Sequence, residues 1–523
     1  MRIGGTPGLS LGLMHQGNQE TILPVCSLTK AVTSAAVGIL VDEKKAAWDT
    51  LVKDALPSLD IKDETLQNQM TIADLLCHRS GMSWGDNLII GTDNNILISE
   101  KGSMTYLNSQ TRLLPFRGQF AYNNLAYELA GKVIEALSKE SYFDFVQSRI
   151  LDPLGMTRTY LKTPPPDLDN VGKCYNAPDD GTSAPITCVK AGDDWVGTPH
   201  VGMRTCVSDL MKLYKAFMKG FNDQFSTGNT STEGLPLKQV TQLMSAKMFM
   251  DQPSRTRRPM VSAGVAFNFP GEWAKLGITP RLVIFHQGSM PGVLSLNMLL
   301  PDTESAIVIS SNALALNDVP DWVGQMVLEE FLEVPASEHN DYLAAAKTSA
   351  KMSLQWYPNL IKELQQAQKN GTCPRELDTY AGTYWDSLHI FKIVVTVEDN
   401  HLYWALPGLE SEKFRLTHYE DDIFTWLQPP WSGPLLQHNQ GEWVVLHIGK
   451  CTQKNPGSWL GSNARRDVYK GTDDEGQRFP MRQLSSGGLW KGLPTELRLC
   501  FDVDWAVEAI AREHPPGRRV GAL

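Results

Sequence analysis

Ser27 and Lys30 are the two residues of this sequence whose types and spacing most clearly suggest chemistry. They lie three positions apart at the start of an apolar run, and on a helix this spacing places both side chains on one face. A serine hydroxyl is a weak nucleophile until a neighbouring group takes its proton. A lysine amine can take it where the surroundings favour the neutral form. The pair therefore predicts an acyl-enzyme serine, with Lys30 as its proton acceptor.

A plainer interpretation makes Ser27 the N-cap of a helix and places Lys30 on its wet side. The residues that follow, 31–41, carry no charge. A helix that is apolar on most faces is buried, and a lysine in its first turn then points into a cleft or a core. Cys26 is a rival nucleophile, but no His or Asn partner can be assigned to it. It is better interpreted as a small buried residue that packs in the core.

Two further segments carry candidate site residues. Tyr122 directly precedes a helical run, where its phenol can carry a proton between the serine and a leaving group. Asn124 can hydrogen-bond a substrate carbonyl or the lysine. His286 ends an apolar strand, and Gly288 allows a ligand backbone to approach an edge strand closely. The N–H of Ser289 can then join that of Ser27 as an oxyanion donor.

In chain order these segments read Ser-Leu-Thr-Lys, Tyr-Asn-Asn and His-Gln-Gly, which resembles the serine β-lactamase and penicillin-binding-protein superfamily. The class C-like branch includes esterases, D-aminopeptidases and lovastatin-type acyltransferases. Its Tyr-x-Asn motif is matched by Tyr122 and Asn124. It often has His or Trp where β-lactamases carry the lysine of the third motif, which His286 and Gly288 match. Because the third motif lacks that lysine and no export signal is visible, an antibiotic-resistance β-lactamase is not expected.

The resemblance implies an α/β (α+β) β-lactamase/transpeptidase-like fold, with an antiparallel sheet flanked by helices. It implies a serine hydrolase or acyltransferase that acts on an ester, thioester or amide of a small metabolite or peptide and needs no metal or organic cofactor. Ser27, Lys30 and Tyr122 would be catalytic. A small acyl substrate, and an acceptor alcohol or amine in the case of transfer, would be the partners. A role in secondary metabolism rests on family analogy.

Domain organisation follows from changes in pattern along the chain. We expect a catalytic domain at 1–335, a helical connector at 336–375 and an all-β domain at 376–523, where short alternating runs replace helical ones. The last of these resembles the lipocalin-like barrel appended to some family members. Family members usually have a longer stretch between the first strand, 6–14 here, and the Ser-x-x-Lys helix, so we expect an edge strand to be missing.

Composition narrows the partners and the compartment. The net charge of -10 argues against nucleic acid, and no apolar stretch is long enough to span a bilayer. The N-terminus lacks a secretory pattern, which predicts a cytoplasmic protein. The eight cysteines are scattered without a Cys-x-x-Cys pair. We therefore expect reduced thiols rather than disulfides or a zinc site.

Two other functions remain open. Gly-x-Ser-x-Gly patterns at Ser10 and Ser83 could indicate an α/β-hydrolase, but that motif needs a strand before the serine and a helix after it. Ser10 lies inside a strand-like run and Ser83 follows a helix, so neither fits. The other alternative is a non-catalytic protein of the same fold that binds a ligand or assembles. The presence of Ser27, Lys30 and Tyr122 disfavours it.

Overall fold

The computed structural model describes residues 17–83, 90–91, 93–178, 180–192, 197–250, 260–263, 269–274, 281–386 and 388–426, and strands at 445–448, 468–470 and 479–483. The chain forms two compact units, Met1–Trp356 and Tyr357–Leu523. The predicted strand at 6–14 lies outside the described residues, as does most of the chain beyond 426. Within the described residues, no helix is long and apolar enough to cross a membrane.

The helices are α1 Thr29–Asp42, α2 Val52–Ala55, α3 Glu64–Gln69, α4 Ile72–Leu76, α5 Glu100–Asn108, α6 Asn124–Ser138, α7 Tyr142–Val146, α8 Asp152–Leu154, α9 Thr198–Val201, α10 Val207–Thr227, α11 Val240–Met244, α12 Val319–Phe331 and α13 Tyr342–Ala367.

The strands of the first unit are β1 Leu23–Pro24, β2 Cys174–Asn176, β3 Ala184–Ile186, β4 Arg204–Thr205, β5 Ala246–Met250, β6 Met260–Ala263, β7 Phe269–Ala274, β8 Arg281–Met290, β9 Val293–Leu300, β10 Ser305–Ser311 and β11 Ala313–Leu314. Those of the second are β12 Gly382–Asp386, β13 Lys392–Glu398, β14 His401–Ala405, β15 Lys413–Arg415, β16 Thr417–Glu420, β17 Ile423–Thr425, β18 Val445–Ile448, β19 Val468–Lys470 and β20 Phe479–Gln483.

An antiparallel six-stranded sheet, in the order β10-β9-β8-β7-β6-β5, supports the first unit. Side chains alternate between its faces. On one face Leu296 and Met298 of β9 pack with Leu328 of α12. On the other, β8 and β9 lie against the turn that precedes α1. The expected antiparallel sheet flanked by helices is therefore present.

Helix α1 is the central helix of this unit. Every residue from Thr29 to Val41 is buried, and the helix packs against α6 and α9. The absence of charge in 31–41 fits this position, because an all-round apolar helix can only be accommodated inside a domain. The helix begins at Thr29, after a 3-10 turn at Cys26–Leu28. Ser27 therefore lies in that turn and is not the N-cap of α1.

The second unit contains one nine-stranded sheet, in the order β15-β14-β13-β12-β19-β20-β18-β17-β16. Its outermost strands, β15 and β16, are separated in the chain by Leu416 alone, so the sheet curls until its two edges lie near each other. No ladder joins these edges within the described strands. The all-β prediction is correct in its strands, but the structure shows no closed barrel and does not establish the lipocalin-like relationship.

The prediction of reduced cysteines is wrong at one place, since Cys174 and Cys188 form a disulfide. Strands β2 and β3 pair antiparallel with Cys174 opposite Ile186. Cys188, two residues further on, returns to the same face. The sequence separation of 14 residues gave no sign of this pairing. Cys26, Cys77, Cys206 and the exposed Cys373 are free thiols.

We expect Cys174→Ser and Cys188→Ser to lower the melting temperature by the same amount. The double variant should lower it no further than either single variant, because both remove the same bond. A disulfide that closes a loop of this length adds about 3 kcal/mol to the free energy of unfolding. Differential scanning calorimetry of the three variants, with peptide mapping under non-reducing conditions, tests this. A melting temperature unaffected by either substitution would contradict the pairing.

Candidate active site

The turn before α1 presents Ser27 to the cleft. Cys26 has φ 51, the left-handed region that is costly for a residue with a side chain. Strand β8 lies directly against this turn: a Cβ atom at Gly288 would be 2.4 Å from the carbonyl oxygen of Val25. Such proximity is possible only without a side chain. The missing side chain of Gly288 thus makes room for the backbone of Val25. The sequence analysis expected it to make room for the backbone of a ligand.

Lys30 lies almost wholly inside the protein, with 1% of its surface exposed. Its Nζ is 3.1 Å from Ser27 Oγ, 2.7 Å from Asn124 Oδ1 and 3.1 Å from the carbonyl oxygen of His200. The interpretation of Lys30 as a wet-face residue is therefore wrong. The structure thus shows the contact of Asn124 with the lysine, and its role toward a substrate carbonyl stays a prediction.

The three contacts of Lys30 suit proton transfer. Asn124 Oδ1 and the His200 carbonyl can only accept hydrogen bonds, so they take two of the amine's hydrogens. In the neutral amine the remaining position is a lone pair, which faces Ser27 Oγ and can receive its proton. In the ammonium form the same position donates to Oγ. One arrangement of atoms thus accommodates both states of a proton acceptor.

Tyr122 reaches the serine from the other side. Its hydroxyl donates to Ser27 Oγ at 2.6 Å, and Lys30 Nζ lies 4.9 Å from the centre of its ring. A cation at this distance from an aromatic ring is attracted to it. The geometry therefore brings together the three residues to which the sequence assigned catalysis.

His78 and Asn123 hold Tyr122, and the sequence assigned neither of them to the site. The His78 ring stacks on that of Tyr122, with ring centres 4.6 Å apart. Its Nδ1 accepts the backbone N–H of Asn123 at 2.9 Å. Burial, followed by the nearby charge of Lys30, lowers the pKa of His78 well below its usual value, so the ring is neutral at pH 7.

Asn123 connects this loop to the helix that follows. Its Oδ1 accepts the N–H of Ala126, which makes it the N-cap of α6. Its Nδ2 donates to the carbonyl oxygens of Met82 and Ser83. An Asn before an apolar helical run can be recognised as a cap from the sequence. Its hydrogen bonds to a loop some forty residues away cannot.

His286, Gly288 and Ser289 all lie on the part of β8 that pairs with β9. In the order of the sheet β8 lies between β9 and β7, so these residues are on an inner strand and the expected edge strand is wrong. The His286 ring centre is 6.5 Å from that of Tyr122. Burial, and then Lys30, lower the pKa of His286 to about 3. The roles in orienting the acyl group and in holding the oxyanion remain predictions for these three residues.

The rival nucleophiles are poorly placed. Burial raises the pKa of the Cys26 thiol far above its usual value, despite the opposing effect of Lys30, so the reactive thiolate is disfavoured. Ser83 is 8% exposed and donates to Gln110 Oε1 at 2.8 Å. The nearest regular element before it is the helix α4, and a nucleophile elbow requires a strand there. Ser10 lies outside the described residues.

Comparison with known proteins identifies the family of the first unit's sequence. Residues 7–323 match the family described as Beta-lactamase, and residues 366–440 match a domain of unknown function, DUF3471. The unguisins hydrolase ungD' of Aspergillus campestris is 23% identical over 427 residues, which cover 76% of this chain and 74% of that protein. Penicillin-binding protein 4 of Amycolatopsis lactamdurans is 26% identical over 153 residues, covering 28% of this chain and 39% of its own length.

A solved structure shows the same overall fold. The octameric penicillin-binding protein homologue from Pyrococcus abyssi aligns with a TM-score of 0.50 at 17% identity, over 89% of each chain. At this identity the likeness concerns the fold and does not extend to substrates.

We expect Gly288→Ala to lower kcat by about 10²-fold, the usual cost of misplacing catalytic groups by about 1 Å. The new Cβ would lie 2.3 Å from Ser295 Oγ and 2.4 Å from the Val25 carbonyl, so β8 must move away from Ser27. Steady-state hydrolysis of a nitrophenyl ester measures the effect.

Gly228→Ala is the matched control. Gly228 ends α10 with φ +72 and has no atom near its missing Cβ. Its substitution should cost about 1 kcal/mol of stability through left-handed strain but leave kcat unchanged. Full activity in Gly288→Ala would show that the approach of β8 to the turn is dispensable.

Proposed function

Because the chain belongs to the β-lactamase family, we propose that it is a serine hydrolase that cleaves an ester or amide through an acyl-enzyme on Ser27. The observation that carries this proposal is the pair of contacts at Ser27 Oγ, from Lys30 Nζ at 3.1 Å and from the Tyr122 hydroxyl at 2.6 Å. A nucleophile held between a base and a second proton carrier is the arrangement that acyl transfer requires.

In the acylation step, Ser27 Oγ attacks the substrate carbonyl carbon while its proton passes to Lys30 Nζ. The new C–O bond opens the carbonyl to an oxyanion, for which the backbone N–H groups of Ser27 and Ser289 are the proposed donors. As the bond to the leaving group breaks, Tyr122 gives that group its phenolic proton. Lys30 then returns the serine's proton to Tyr122, so no net charge remains.

Deacylation reverses these roles. Lys30 first takes the phenolic proton of Tyr122, and the phenolate then takes a proton from a water molecule, whose oxygen attacks the acyl carbon. As the bond between Ser27 Oγ and the acyl carbon breaks, Lys30 gives its extra proton to Oγ, so both residues end as they began. An alcohol or amine in place of water would make the same chemistry an acyl transfer. Similarity to a protein named as a hydrolase favours water as the acceptor.

The neutral state of His286 bears on the substrate class. A pKa of about 3 leaves this ring uncharged at neutral pH, so the third motif offers no cation to an acyl donor. We propose that His286 orients a donor without a carboxylate at this position, such as an internal amide or ester of a small metabolite or peptide. Its imidazole can still form hydrogen bonds with neutral polar groups.

We expect Ser27→Ala to reduce nitrophenyl ester turnover by about 10³-fold or more, because the acyl-enzyme can no longer form. Lys30→Met should have an effect of similar size. Cys26→Ala, at the neighbouring buried thiol, is the control and should retain turnover. Mass spectrometry after fluorophosphonate treatment should find the label on Ser27. Equal slow turnover by wild type and Ser27→Ala would favour a non-catalytic binding protein.

We expect His286→Lys to shift the preference toward acyl donors that carry a free carboxylate, since the lysine introduces a cation where the ring is neutral. The ratio of kcat/KM for matched ester donors with and without the carboxylate measures the change. A close ion pair in a partly buried site supports a shift of about 10-fold. His286→Gln, which adds no charge, is the control, and an unchanged ratio in the lysine variant would contradict this role.

A further inference from the structure

Glu128 is a buried carboxylate close to the proposed catalytic lysine. It lies on α6 one helical turn beyond Asn124, the residue that accepts from Lys30. Only 2% of its surface is exposed. A carboxylate in this position is costly unless polar partners compensate for its lost hydration. The partners that Glu128 contacts therefore indicate why it is there.

Those partners lie at the two ends of one short turn. Glu128 Oε2 accepts the backbone N–H of Gly197 at 3.1 Å. The same oxygen is 3.3 Å from His200 Nδ1, within ion-pair range but not aligned as a hydrogen bond. The ring of His200 and the carboxylate of Glu128 are each 3% exposed. One side chain therefore holds both the start of the 197–200 turn and its last residue.

The 197–200 turn is otherwise shaped to fit between α1 and α6. It starts at Gly197 with φ 121, a conformation that residues with side chains rarely adopt. The carbonyl oxygen of Pro199 accepts from Thr33 of α1 at 2.5 Å. Pro199 also presses against α6, where a Cβ at Gly131 would lie 2.3 Å from its Cγ. The position of this turn is thus determined by contacts on both helices.

The turn supplies a group to the active site. The carbonyl oxygen of His200 accepts from Lys30 Nζ at 3.1 Å. Together with Asn124 Oδ1 it occupies two positions of the amine and leaves the third for Ser27. If the His200 carbonyl were displaced, the Lys30 amine could rotate. The lone pair of Lys30 Nζ would then no longer face the Ser27 hydroxyl.

Other ionisable groups surround Glu128. Lys132, one turn further along α6, contacts Glu100 and Glu135. Tyr142 of α7 has a raised pKa, mainly through burial, and the charge of Glu128 contributes to it. The direct contacts of Glu128 with the 197–200 turn are therefore the ones that connect it to Lys30.

We propose that Glu128 is a positioning residue for Lys30: by holding Gly197 and His200, it fixes the His200 carbonyl that directs the lysine amine at Ser27. This inference rests on the proposed function and adds to it a residue that does not touch the substrate. It predicts an effect on kcat without a matching effect on KM, because acyl-donor binding does not involve Glu128.

Three variants test the proposal in the full chain with a nitrophenyl ester. Glu128→Leu removes the hydrogen bond from the Gly197 N–H and the contact with the His200 ring, and it should lower kcat by about 10²-fold. Glu128→Gln keeps an acceptor oxygen for the Gly197 N–H and should recover part of this loss, to about 10-fold below wild type. Glu135→Gln is the matched control on the same helix, since Glu135 contacts Lys132 and the Tyr142 N–H instead. It should keep kcat within about twofold.

The melting temperature of each variant separates positioning from folding. If Glu128→Leu fails to fold, the comparison of Glu128→Gln with Glu135→Gln decides. Wild-type kcat in a folded Glu128→Leu, or in Glu128→Gln when the leucine variant does not fold, would overturn the proposal. So would a loss that appears wholly in KM.

Ser27→Ala in the same assay separates this inference from the proposed function. If Ser27→Ala retains wild-type turnover, the proposed function fails, whatever the Glu128 variants do. If Ser27→Ala is inactive and the Glu128 variants turn over at the wild-type rate, only the positioning role of Glu128 fails.

Discussion

The hydrogen bonds that join the buried Lys30 amine to Ser27, Asn124 and His200 are the interaction on which the rest of this site depends. A lysine with 1% of its surface exposed must find polar partners inside the protein. Here they come from three separate segments: Ser27 in the turn before α1, Asn124 at the start of α6 and the carbonyl of His200 in α9. The amine therefore holds these segments together, and they in turn determine its orientation.

This constraint explains the unusual backbone around the site. The turn that carries Ser27 needs Cys26 in the left-handed region, and the turn that carries His200 begins at Gly197 with φ 121. Strand β8 needs Gly288 because no Cβ fits against Val25. Strained or side-chain-free positions of this kind persist only where surrounding contacts over-determine them. In this protein those contacts are the buried polar network of Lys30 and the packing of α1, α6 and α9 against one another.

The two histidines that flank Tyr122 show how burial sets the charge of the cleft. His78 stacks on one side of Tyr122, and His286 faces it from β8. Burial lowers the pKa of both rings, and Lys30 adds to the effect. Protonating either ring would place a second cation beside the lysine. Both rings are therefore neutral neighbours of Tyr122 and add no charge to the cleft.

The sequence by itself determined the central helix, the antiparallel strands after residue 281 and the residues that meet at Ser27. The helix and the strands have a local signature, an uncharged run and a period of two, as does the Ser-x-x-Lys spacing. Tyr122 and Asn124 were assigned by the order of the three motifs along the chain. Only the tertiary structure decided that Cys174 pairs with Cys188, that the last sheet stays open in its described strands, and that His78, Asn123, Glu128 and the His200 carbonyl lie around Lys30 and Tyr122. The contacts of these last four groups join residues from about forty to 170 positions apart, and no local pattern of side chains encodes such contacts.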